Sequence, residues 1–574
     1  MNRPSRTDEE LNPGWNQSPP HLSADLTTNS DLNGIINSRK LRHHRIDPGD
    51  TERLELQLID QSSAAEDGKS IGSHEREHVS EEQEKTSIPG QGDGADSLST
   101  TPRDSGRRPG KAMRVLGRTR EILVKYAKFI GPGFLVSVAY IDPGNYATDV
   151  AAGASYRFRL LFMILVSNIF AIFLQTLCIR LGSITGMNLA EMCKAHLPPW
   201  LNYVLYFFAE AAIIATDIAE VIGTAISLNL LLHIPLVAGC AISIVDVLVI
   251  LFFYRPNGSM KGLRWFECFV MLLVLGVVIC FCFQLSLIKN TSVGEVFRGY
   301  LPSSAIVQSE GLYQSCGILG ATVMPHSLYL GSGIIQSRLK DFDEQNNNIH
   351  DQEGDDDVEV KYRPSISAIR SCMNYSIVEL AISLFTFALF VNSAILIVAG
   401  ASLVDTGAAS ADLFGIHDLL SKTLAPAAGT IFALALLLSG TSAGVVCTIA
   451  GQMVSEGQLS WSVKPWVRRL MTRSISITPS IIIAGAVGRD GLSAALEGSQ
   501  VALSVILPFV SAPLIYFTCR NKFMTVATRE LDGSVGGVKM RNHWVTAVFA
   551  VLIWLIVVVM NVALLVLLGL GVGG

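Results

Sequence analysis

Ala139-Tyr140-Ile141-Asp142-Pro143-Gly144-Asn145 stands in the middle of a run, residues 129–152, that is otherwise apolar and of membrane-crossing length. About 20 apolar residues in helical form cover the ~30 Å hydrocarbon core of a bilayer, where every backbone polar group needs a partner within the chain. Pro removes one backbone donor from such a helix, and the adjacent Gly releases the chain from helical dihedrals. The first span is therefore predicted to break here, freeing carbonyls such as that of Ala139 and turning the Asp142 carboxylate and Asn145 amide toward the gap. An uncompensated Asp at the bilayer centre costs about 2.5–3.5 kcal/mol on insertion scales, so it is expected to face a cavity or a ligand. A proline kink with a hydrogen-bonded Asp explains the same letters about as well, and Asp47-Pro48-Gly49 repeats the tripeptide outside any span.

A second stretch gives the first its meaning. Ala321-Thr322-Val323-Met324-Pro325-His326 interrupts residues 312–338 in the same manner. Working outward from the two, eleven apolar stretches run at roughly 129–152, 159–183, 201–231, 236–254, 265–288, 312–338, 366–400, 427–454, 474–495, 497–519 and 543–570. Spans one to five and six to ten make two halves, and each half opens on its broken, polar helix. Five is odd, so the second half enters from the opposite face. That is the inverted repeat in which two unwound helices meet at the midplane around a substrate. The predicted fold is an all-α polytopic membrane protein with a 5+5 inverted repeat, about 125–290 and 308–520, and an extra helix at 543–570.

Composition agrees. Of 574 residues 49% are hydrophobic and 16% charged, too apolar for one soluble domain. Residues 1–110 are the exception, with 13 Lys and Arg and 20 Asp and Glu and no apolar periodicity, and are expected to be a disordered cytosolic tail preceding a transporter domain at 111–574. No apolar leader follows Met1, so the first span is expected to direct insertion itself. With the tail inside, the cytosolic turns between spans hold 19 Lys and Arg and the opposite side six, as the positive-inside rule requires. Asn290-Thr291-Ser292 then lies outside, as a glycan acceptor site, and the acidic run Asp351–Glu359 lies inside, as a solvated linker. Ten cysteines without a CxxC pair read as small buried hydrophobes. No basic, aromatic-interleaved patch supports nucleic-acid binding, and nothing demands more than a monomer.

One carboxylate, one amide oxygen, freed carbonyls and the Met324 thioether define the chemistry. Hard oxygens alone suit Mg²⁺, Ca²⁺ or Na⁺, whereas sulfur adds a preference for Mn²⁺, Fe²⁺, Co²⁺ or Cd²⁺. The predicted substrate is a divalent transition metal, carried as cargo with no cofactor. A third-span face adds Glu210, Asp217 and Glu220, whose offsets of seven and three place them together on one helix side. Intramembrane acids of this kind relay protons or form structural ion pairs, here with Arg338 or Arg473.

The paired sequences Asp142-Pro143-Gly144-Asn145 and Met324-Pro325-His326, each in the first helix of a five-helix half, closely resemble the NRAMP family of proton-coupled divalent-metal transporters, of fungal style and leucine-transporter-like fold. The resemblance covers about residues 125–570. It implies metal ligation by Asp142, Asn145 and Met324 with the carbonyls of Ala139 and Ala321, and, through a tenth-span Gln, by Gln500. It implies a proton pathway through Asp142, Asp217, Glu220 and Arg338, with His326 adding pH sensitivity and Glu210 on the same acidic face. Gly331 departs from the family pattern, which carries a second His five residues after the first in many relatives. The expected activity is proton-coupled uptake of metal into the cytosol by alternating access, at the plasma membrane or an endosomal or vacuolar membrane. A sodium-coupled amino-acid transporter of the same architecture and a membrane metal sensor are the competing classes. An intramembrane enzyme lacks a nucleophile and base constellation, and a channel lacks a selectivity ring.

Overall fold

The computed structural model describes residues 132–245, 260–288, 291–346, 362–402, 412–423, 425–459, 465–529 and 535–571. The tail 1–110, Asn290 of the glycan sequon, the acidic run 351–359 and the second half of the fourth stretch, 246–254, lie outside these residues. The expected domain boundary at 110 does so too.

The first stretch is two half-helices, α1 (Pro132–Val138) and α2 (Pro143–Tyr156). Then come α3 (Leu161–Thr185), the short α4 (Leu189–His196), α5 (Pro199–Leu232), α6 (Leu236–Ile242), α7 (Met260–Leu287) and α8 (Val293–Arg298). The sixth stretch is again two pieces, α9 (Ser309–Thr322) and α10 (Pro325–Gln345). The seventh is α11 (Ile366–Ser383) and α12 (Leu389–Ser402), joined by a π turn at Leu384–Ala388 whose Leu384 carbonyl accepts from Asn168 Nδ2 at 3.3 Å. The chain finishes with α13 (Leu413–Thr423), α14 (Pro426–Leu459), α15 (Pro465–Ala486), α16 (Arg489–Thr518) and α17 (Trp544–Gly569). Among the described residues eight helices are long and apolar enough to cross a membrane, and Leu470–Ala486 is a shorter apolar helix. The chain is an all-α polytopic membrane protein whose two halves each open on a broken helix.

Two details differ from the sequence reading. The long boundaries move, so that α5 and α14 each run 34 residues and project beyond a single bilayer crossing. A hairpin also joins α16 to α17, with β1 (Thr525–Arg529) antiparallel to β2 (Val535–Lys539) and Thr525 opposite Lys539. Its strands are too short and too polar to register as apolar stretches, yet β-branched Thr and Val recur along both, as a pleated ribbon favours.

Proline by itself does not cause the breaks, since Pro479, Pro508 and Pro513 all sit inside continuous helices. At the breaks Pro143 and Pro325 occupy the first turn of a new helix, where the missing N–H has no partner to lose. The preceding residue is extended in each case: Asp142 at φ −122°, ψ 167° and Met324 at φ −69°, ψ 126°. Asp142 caps α2 by accepting from Asn145 N at 2.8 Å, satisfying one of the N–H groups a helix start leaves open. Met324 has no capping side chain. The second break is therefore less well satisfied by its own residues than the first.

Around the first break the backbone is held by close approach. A Cβ added at Gly223 of α5 would overlap the Pro143 ring, so glycine there lets α5 lie directly against the restart of the first span. We predict that Gly223→Val, which forces the two helices apart, lowers stability by about 1–3 kcal/mol, read as a lower melting temperature of the purified protein in detergent. An unchanged melting temperature would show that the two helices have room to separate.

Candidate metal site and its acidic neighbour

The two breaks are joined through one amide. Asn145 Nδ2 donates to Asp142 Oδ1 at 2.8 Å, to the Ala321 carbonyl at 3.2 Å and to the Tyr140 carbonyl at 3.2 Å. Asp142 and Asn145 come from the start of α2, and Ala321 from the end of α9, 176 positions away in sequence. Asp142, Ala321, Met324 and Gln500 are wholly buried, and Asn145 and Ala139 nearly so. The other carboxylate oxygen, Asp142 Oδ2, is buried without a hydrogen-bond partner.

The amide orientation differs from the sequence expectation. Asn145 presents its nitrogen, not its oxygen, to the Asp142 carboxylate and the Ala321 carbonyl, so two N–H donors stand where a cation would meet the same oxygens. Asn145 Oδ1 instead accepts from Asn392 Nδ2 at 3.3 Å, and Asn392 Nδ2 also reaches the Tyr140 carbonyl at 3.2 Å. Turning the Asn145 amide over would deliver its oxygen to a metal. Asn392 Oδ1, buried and without a partner, would then be the acceptor available to the reversed Asn145 nitrogen after its own turn.

A second link ties Met324 to the first break. The Met324 carbonyl accepts from Ser327 Oγ at 2.7 Å, Ser327 Oγ lies 3.0 Å from Tyr140 Oη, and Gln175 Nε2 of α3 donates to both hydroxyls and to the Ser327 carbonyl. Gln500 of α16 closes another side: a Cβ at Gly144 would overlap its side chain, and one at Gly320 would overlap its carbonyl oxygen. Gln500 Oε1 is buried without a partner, while Nε2 donates to Ser499 Oγ at 2.9 Å. Of the expected ligands, Asn145 thus contacts both Asp142 and Ala321, Gln500 lies against the neighbouring Gly144 and Gly320, and Ala139 and Met324 stand in the two broken segments themselves.

The acidic face of α5 lies one step away. His326 Nδ1 is 3.3 Å from Thr216 Oγ1, the residue before Asp217. Arg473 of α15 binds Asp217 at 2.7 Å and Glu220 at 3.1 Å, and Ser476 donates to the second Asp217 oxygen at 3.1 Å. Glu210 is half-buried two turns nearer the start of α5. Arg338 does not join these acids. Its Nη1 binds Glu379 at 2.7 Å and Ser376 at 2.8 Å, because its position near the far end of α10 faces α11. Arg473, named from sequence only as a structural partner, is the cation of the cluster.

Asn392, Gln175 and Tyr140 escaped the sequence reading; each is a polar group in an apolar run, the one signal that could have found them. Asp149 escaped as well, a buried carboxylate whose Oδ2 has no partner, two turns beyond Asp142 on the same side of α2.

A family description, Natural resistance-associated macrophage protein-like, matches residues 133–567, the whole region that carries both breaks. The chain belongs to the Nramp family. This Nramp chain is 52% identical over 503 residues to the manganese transporter SMF1 of Saccharomyces cerevisiae, covering 79% of the chain and 88% of that protein. It is 56% identical over 409 residues to the iron transporter SMF3 of the same yeast, covering 71% and 84%. Among solved structures it resembles the Eremococcus coleocola manganese transporter in complex with an aromatic bis-isothiourea substituted compound. That match has a TM-score of 0.62 and 31% identity, covering 75% of the chain and 84% of that structure.

Removing Arg473 from the Nramp chain would leave two buried carboxylates without their cation. Arg473→Ala is expected to destabilise by about 3–5 kcal/mol and Arg473→Lys by less, measured as the unfolding midpoint in detergent. Equal midpoints for all three proteins would contradict the ion-pair geometry.

Proposed function

We propose that this chain is a proton-coupled secondary transporter that moves divalent transition-metal ions, Mn²⁺ and Fe²⁺ among them, into the cytosol by alternating access. The observation that carries the reading is the Asn145 amide bridging the Asp142 carboxylate and the Ala321 carbonyl, which brings the two broken helices onto one atom. The names of the relatives, manganese and iron transporters, support the substrate class.

In this reading the ion takes the place of the two N–H donors. Asp142 supplies the charge, Asn145 its reversed amide oxygen, Ala139 and Ala321 their carbonyls, Gln500 its unpartnered Oε1 and Met324 its sulfur. A single carboxylate leaves a bound M²⁺ with net positive charge, so the site holds its ion weakly enough to release it. Thioether sulfur tips the balance from Ca²⁺ toward softer ions. A proton carried on Asp142 and an arriving cation compete for the same carboxylate oxygens, so the cation displaces the proton. His326 against Thr216 points the way out for that proton, to Asp217 and Glu220 beside Arg473. The two carboxylates exceed the one guanidinium by a single negative charge, which a proton neutralises. Rocking of one helix bundle against the other then exposes the site to each face in turn.

Asp142→Ala is expected to lower Mn²⁺ uptake into proteoliposomes by about tenfold or more, a loss of roughly 1.4 kcal/mol or greater; normal uptake by correctly folded variant would refute the site. Met324→Ala is expected to lose discrimination against Ca²⁺ more than affinity for Mn²⁺. If the Ca²⁺ to Mn²⁺ preference stays as in the parent, the sulfur plays no part in selection.

A further inference from the structure

We infer that Asp217, Glu220 and Cys447 form a second metal site, specific for a thiophilic divalent cation such as Cd²⁺ or Zn²⁺, at which the ion blocks transport without being carried. All three residues are buried, and their ligand atoms, one from each, lie within 4.8 Å of one another. Cys447 belongs to α14, one turn after Gly444, over which the Glu220 carboxylate and the Arg473 guanidinium lie: a Cβ at Gly444 would stand 3.2 Å from Glu220 Oε2 and 3.6 Å from Arg473 Nη2.

Two further observations point to a ligand. Glu220, with no exposed surface, keeps Oε1 without a hydrogen-bond partner. A cavity of about 10 Å³, the space of one water or one ion, opens beside two of the three ligands: Asp217 and Cys447 line it with Ile213, Gln452 and Arg473, while Glu220 stands behind its wall. Among the described residues the hydrogen bond shown for the Cys447 thiol is a long one, 3.8 Å to the Ile213 carbonyl, so little holds it back from a metal.

Charge and distance both close. When a divalent ion binds, the S–H bond breaks, a sulfur–metal bond forms, and the thiol proton leaves to water, together with any proton held between the carboxylates. Two carboxylates, one thiolate and the Arg473 guanidinium total two negative charges, which the divalent ion cancels. Zinc bonds of about 2.0–2.3 Å in tetrahedral geometry put ligand atoms about 3.5 Å apart. The present spacing of up to 4.8 Å therefore contracts by about 1.3 Å at most, within reach of side-chain rotation. Mn²⁺ and Ca²⁺ gain little from a thiolate, so the cysteine selects against them. The site stands on this geometry alone; its power to block transport rests also on the proton pathway proposed above.

The test is a Cd²⁺ titration of the purified full-length protein and of Cys447→Ser, following the ultraviolet thiolate-to-cadmium charge-transfer band, with Mn²⁺ uptake and proton entry measured on the same samples. The expected result is a saturable band in the parent and its loss in Cys447→Ser, whose Mn²⁺ uptake without Cd²⁺ matches the parent. Cys447→Ala serves as the second variant if the serine variant does not fold. No band in the parent, or the same band in the variants, overturns the site. A Cys447-dependent band with undisturbed proton entry keeps the site and removes the proton pathway from Asp217 and Glu220.

Discussion

A buried hydrogen-bonding group must find a partner, and in this chain that requirement is concentrated on the side-chain amide of Asn145. Its nitrogen serves the carboxylate that caps α2 and the carbonyl that ends α9. Both acceptors exist only because the helices stop there. Were either helix continuous, the Ala321 carbonyl would be spent inside its own helix and Asp142 would have no backbone amide to cap. The site and the interruptions are thus one feature, and the close packing of α5 and α16 keeps the two interruptions level with each other.

Polar groups around this amide are arranged as alternatives more than as a fixed cage. Asn145 and Asn392 each possess an acceptor and a donor at opposite ends of the same group, and only one of the two arrangements offers oxygen to the centre. Asp142 Oδ2, Gln500 Oε1 and Asn392 Oδ1 wait without partners while fully buried. Buried atoms of that kind are costly, and their clustering at the junction of the two halves is what a transient positive guest would relieve.

The sequence showed the breaks clearly, because Asp142-Pro143-Gly144-Asn145 and Met324-Pro325-His326 violate the rules of a spanning helix at matched places in two halves. It showed the acidic face of α5 for the same reason. Asn392 and Gln175 were hidden because a single amide in an apolar run is common and carries no spacing signal. The sequence offered both Arg338 and Arg473 as partners for the α5 acids and could not choose between them, because the partner of a charge depends on how α15 and α10 lie against α5 and α11, which periodicity does not encode. Cysteine spacing gave no reason to separate Cys447 from the other nine, and only the fold sets it beside two carboxylates.

The last crossing has a bearing on how the rest can move. Trp554 of α17 donates its indole N–H to the carbonyl of Pro508, in a stretch of α16 that already lacks one donor. Eight residues earlier on α16 stands Gln500, at the centre of the molecule. A terminal helix that looks like an appendage is fastened to the middle of α16, so a tilt of α16 about Pro508 would have to carry α17 with it or break that bond. The exposed helix α17 and the helix that carries the buried Gln500 thus share a hydrogen bond eight residues from that side chain.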